Sequence, residues 1–82
     1  MSRALYVVIR SRDQWWVDFE GKPHGPHASI QDAVEEGREL AQYTAHMGRT
    51  SELLVPDENG RYRVVWASDD QRHRGYSVTS AA

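Results

Sequence analysis

Two histidines three residues apart, in the run Lys22-Pro23-His24-Gly25-Pro26-His27, are the first residues in this chain with types suited to chemistry. Imidazoles at that spacing on a helix would converge on one side and supply half of a zinc site. Between prolines and a glycine the spacing carries no such meaning, because a Pro-Gly segment can point the two rings almost anywhere. A site would also need further ligands. The other histidines are His46, late in a helical pattern, and His73, near the end of the chain. The segment therefore reads as a solvated turn between a strand and a helix, with no metal.

Other chemistry-bearing groups have structural explanations. Ser29 stands where a helix N-cap belongs, and no His-acid pair is placed to activate it as a nucleophile. Glu35, Glu36 and Glu39 read as the solvated face of a helix rather than as paired acids for proton transfer. There is no glycine-rich phosphate loop, and the chain has no cysteine for a thiolate site or a disulfide. The expectation is a non-enzymatic protein with no cofactor. The remaining constellation is Arg61, Tyr62, Arg63 and Trp66, with Arg3, Arg10 and Arg12 nearer the start. Basic and aromatic residues interleaved on a strand suit RNA or single-stranded DNA. Against that, ten basic and twelve acidic residues leave a net charge of −2, so no global field draws in a polyanion.

These residues must be positioned by a small fold, since 82 residues supply one core. A domain of this size buries only roughly 60% of the surface its unfolded chain exposes, which makes self-association useful. No export signal or membrane span is legible in the first residues, and the absence of cysteine fits a reducing compartment, so the expected location is cytoplasmic.

Leu5 to Arg10 and the run Trp15 to Glu20 read as a hairpin around Ser11-Arg12-Asp13-Gln14, with Trp15, Val17 and Phe19 turned to the core. Ile30, Ala33, Val34, Gly37, Leu40, Ala41, Thr44 and Ala45 recur at helical spacing behind a Ser29/Asp32 capping box, and Gly48 is a natural terminator. Glycine inside that stripe implies close approach of the helix to a sheet. Glu52 to Pro56 and Arg61 to Ala67 flank an Asn59-Gly60 turn as a second hairpin. The expected fold is α+β, β-β-α-β-β: a four-stranded, mainly antiparallel sheet with one amphipathic helix on one face. The domain spans residues 1–68, and 69–82 are expected to be a disordered tail. The helix-free face is expected to display Tyr6, Val8, Trp16 and, depending on register, either Tyr62 with Trp66 or Val65, beside Arg61 and Arg63. Such an apolar surface calls for a protein partner or a second copy.

The Tyr6-to-Arg10 strand, Trp16-Val17, Ala33, Arg38 to Ala41, Glu52 to Val55 and Asn59 to Arg61 together resemble the bacterial family of domains of unknown function designated DUF2188. That resemblance covers Leu5 to Ser68 and implies a fold without an established activity. The chain departs from the pattern at Pro56, where a polar residue such as histidine is expected and where proline removes a ladder donor. A second resemblance, carried by the first two strands, the Pro-His-Gly loop and the helix opening Ser29 to Leu40, is to the amino-terminal domain of HicB-type antitoxins. It implies an inhibitor that covers another protein. HicB domains typically place a third strand before the helix and add a DNA-binding segment; neither is legible here.

Overall fold

The computed structural model describes residues 3–69, and the segment expected to be a tail lies outside them apart from Asp69. The chain forms β1 (Ala4–Ser11), β2 (Gln14–Phe19), β3 (Lys22–His27), α1 (Ile30–His46), β4 (Ser51–Pro56) and β5 (Tyr62–Ala67). These strands make one five-stranded sheet in the order β3-β2-β1-β4-β5. β1 and β4 are parallel, and the other three pairings are antiparallel.

The class and the single helix are as expected, while the strand count and one direction are not. The Lys22–His27 segment is a strand rather than a loop. Its prolines are tolerated because β3 is an edge, where a missing N–H leaves no ladder bond unmade inside the sheet. The extra strand also explains the parallel pair. With three strands before the helix, α1 returns the chain so that β4 enters in the same direction as β1; with two strands it would have entered opposite.

Two tight turns build the three-stranded meander. Arg12 and Asp13 have φ of 54° and 62°, and Glu20 and Gly21 have 53° and 85°. Two successive residues at positive φ define the type I′ hairpin, whose twist matches that of the strands it joins. Between β2 and β3 the register slips by one residue. There Gly25, at φ 145°, passes so close to the neighbouring strand that a Cβ would sit 3.1 Å from the Trp15 carbonyl oxygen and 3.2 Å from the Trp16 ring.

The helix begins as the sequence requires. Ser29 takes extended dihedrals, and its hydroxyl accepts the Asp32 N–H at 3.1 Å. It ends in a Schellman motif: the Gly48 N–H reaches the Ala45 carbonyl at 3.0 Å and the Arg49 N–H reaches Thr44 at 3.2 Å, with Gly48 at φ 103°.

Ala33, Gly37 and Ala41 form the buried stripe of α1, and small residues there bring the backbone down onto Val8, Val17 and Leu53. A Cβ on Gly37 would lie 2.6 Å from Leu53 Cδ1, so the glycine is required by contact distance. Tyr6 stacks on Phe19 with centroids 4.4 Å apart, and its hydroxyl meets Thr44 Oγ1 at 2.5 Å. Ser51, the buried polar residue among those described, is satisfied twice. Its hydroxyl donates to the Ala41 carbonyl at 2.6 Å, and its N–H donates to Ser68 Oγ at 3.0 Å.

Replacing Gly37 by Ala should lower stability by about 1–3 kcal/mol, because overpacking against a fully buried leucine outweighs the helix-propensity gain. Urea unfolding would show this, and Leu53→Val in the same chain should recover part of the loss. The Arg12→Asn, Asp13→Gly double substitution should raise stability by about 1 kcal/mol, since residues suited to positive φ replace two that are not. An unchanged midpoint would contradict that.

Candidate functional site

Face assignment follows from register. The two-residue turn fixes Ser11 opposite Gln14, and counting back sets Val8 opposite Val17 and Tyr6 opposite Phe19. Directly opposed residues share a face. Tyr6 and Val8 therefore lie under the helix, 4% and 0% exposed, and not on the helix-free face where they were expected. Trp66 is also displaced from that face: it stands opposite the buried Leu53 and packs against the core.

The helix-free face is made by the alternate set. Leu5, Val7 and Ile9 come from β1, Trp16 and Asp18 from β2, Leu54 and Pro56 from β4, and Tyr62 and Val64 from β5. Asp18, Val7, Leu54 and Val64 form one row across four strands. Trp16 and Tyr62 occupy this face as expected. The aliphatic members were missed, although a reading of Arg12-Asp13 as a two-residue loop would have supplied the register. Leu5, Tyr62, Val64 and Val65 are each between 42% and 51% exposed, whereas Val7, Ile9, Trp16 and Leu54 are half-buried by their neighbours.

The Trp16 ring is held by a hydrogen bond from its Nε1–H to the Ser11 carbonyl at 3.1 Å. Beside it lies a shallow hollow of about 380 Å³, with Ile9, Arg12, Asp18 and Pro23 on its walls. At the opposite end of the face an ionic cluster forms the rim. Arg3 donates to both carboxylate oxygens of Asp69, at 3.0 and 2.6 Å, and its Nε lies 3.2 Å from Glu52. The hydrogen bonds to Asp69 hold the guanidinium pKa above its ordinary value.

Arg61 and Arg63 do not join the face. Arg61 precedes β5, and Arg63 stands opposite Val55, which packs on the helix side. A second hollow of about 350 Å³ opens on that side between Ile30, Val34 and Arg38 of the helix and Val55 of β4. Arg10 sits over the Trp15 ring at 5.5 Å, so it too belongs to the helix side.

The slip in β3 places both histidines toward the helix, His24 opposite Val17 and His27 opposite Trp15. His27 Nε2 contacts Glu36 Oε1, tying the edge strand to α1. Among the described residues no three His, Asp or Glu side chains gather as metal ligands, and His73 lies outside them. Ser29 serves as the helix cap, and Glu35 lines the second hollow. No described helix is long and apolar enough to cross a membrane.

Pro56 closes β4 opposite Tyr62, so the departure noted in the sequence costs no strand. No curated protein matches the chain, and no solved structure does, so the HicB resemblance is not shown. A family model described as an uncharacterised protein conserved in bacteria matches residues 5–68, and the chain belongs to that family, DUF2188.

Proposed function

We propose that this domain is a non-enzymatic interaction module whose helix-free sheet face binds a protein, either a partner or a second copy. The observation that carries the reading is the row of aliphatic and aromatic side chains from Trp16 through Ile9, Val7 and Leu54 to Val64, left uncovered once α1 has taken the other face. Covering apolar area is worth about 25 cal/mol per Å², and a domain this small gains proportionately from it. Charged groups at the rim, Asp18 and the Arg3 cluster, would orient a partner more than hold it. An antitoxin-type inhibitor is one form such a module would take.

The nucleic-acid reading keeps Arg61, Tyr62 and Arg63, which are exposed on or beside β5. It loses Trp66 to the core and Arg3 to its carboxylates. A single exposed aromatic on the strand is a poor stacking platform, so this reading stands second.

Light scattering coupled to size exclusion should show concentration-dependent association that a short RNA mixture leaves unchanged. Where the chain stays monomeric, the immobilised domain should retain partner proteins instead. Either behaviour should be lost in the Leu5→Lys, Trp16→Ala variant, with its fold checked by thermal melting. A Leu5→Lys change at an exposed position should itself cost no more than about 0.5 kcal/mol of stability. Equal association and equal retention by the variant, or a monomer that shifts only with RNA at low salt, would overturn the reading.

A further inference from the structure

The two edges of the sheet are built differently. β3 carries Pro23 and Pro26, which have no N–H to offer, and a register slip at Gly25. Those are devices that stop another chain from pairing. β5 contains no proline, and among the described residues no strand lies along its outer side. Tyr62, Arg63, Val64 and Val65 are exposed, and the tyrosine and the two valines are of types that favour strands. An open edge of this kind is a template for strand addition.

Charge narrows what would add. Arg61 and Arg63 make no ion pair among the described residues, and neither does Arg38 across the helix-side hollow. No acidic residue occurs from Arg61 to Ala67. The strand itself is thus basic on a chain whose net charge is −2, with Glu35 in the neighbouring hollow and Asp57 at the turn before it as the nearby acids. A register slip between Leu53 and Leu54 on the β4 side makes Val65 the extra residue of β5, so the regular part of the edge is its first half. A second copy pairing antiparallel over that half, centred on Tyr62 or on Arg63, would set arginine against arginine. Like charges directly opposed are destabilising.

We propose that β5 accepts an extended acidic segment of a partner protein as a sixth strand. In this arrangement the period of two puts the incoming carboxylates on the helix side, with Arg63 and Arg61, and β-branched residues on the other side, with Tyr62 and Val64. The proposal rests on the interaction reading above and names the chemistry of the partner.

The test uses the full chain and two fluorescein-labelled hexapeptide libraries. One alternates Glu or Asp with Val, Ile or Thr; in the other, Lys or Arg replaces the acids. Fluorescence anisotropy at low salt should show the acidic library binding about tenfold more tightly. Amide exchange across Tyr62–Val65 should slow when it is bound, and the Arg61→Glu, Arg63→Glu variant should invert the preference. Equal or absent binding of the two libraries, or protection elsewhere, overturns the proposal. So does protection of β5 by a short RNA mixture instead of peptide. Protection of the free chain that disappears when residues 70–82 are removed would assign the edge to the chain's own end and overturn it as well. If the Leu5→Lys, Trp16→Ala variant loses association while charge reversal on β5 changes nothing, the interaction reading stands and the acidic-strand proposal alone falls.

Discussion

The distance between helix and sheet is set at one point, where Gly37 lies against Leu53, and most of the architecture follows from it. With no side chain at the point of contact, α1 comes down far enough for Ala33 and Ala41 to be fully buried and for the Ala41 carbonyl to receive the Ser51 hydroxyl. That bond, with Tyr6 to Thr44, anchors the helix to β4 and β1 at its carboxy-terminal half. At the amino-terminal half, His27 to Glu36 performs the same service for β3. The core is therefore thin, made mainly of alanines and valines around Tyr6 and Leu53. Its larger residues, Trp15, Phe19 and Trp66, sit at the margin half-covered.

How much of this was legible depends on which physical signal each element carries. The helix was readable because its cap, its stripe and its terminator all state the same boundary: Ser29 bonds to Asp32, Ile30 to Ala45 repeat at 3.6, and Gly48 takes positive φ. The β4–β5 hairpin was readable from Asn59-Gly60, and Gly60 does adopt φ 80°. β3 was not, because proline and glycine speak for a turn wherever the ladder around them is unknown. Only the knowledge that the strand is an edge makes them harmless. One missed strand then reversed the direction of everything after the helix.

The error at the site had a different origin. Tyr6 and Val8 were placed on the helix-free face because β1 is apolar on both sides, and alternation alone cannot say which side is which. The deciding information was in the turn. A loop of two residues fixes the opposed pairs, so that Val8 must follow Val17 into the core and Ile9 must follow Trp16 out of it. Trp66 was misplaced because a one-residue slip in β5 changes the parity of the strand between Val64 and Trp66, and no residue type announces it.

The clamp from Arg3 to Asp69 and Glu52 joins the two extremities of the described chain at one corner of the sheet. The arginine spans the start of β4 to do so, since β4 lies between β1 and β5 in the sheet. In general, chain ends that lie close together let a domain be spliced into a surface loop of another protein without pulling that loop apart.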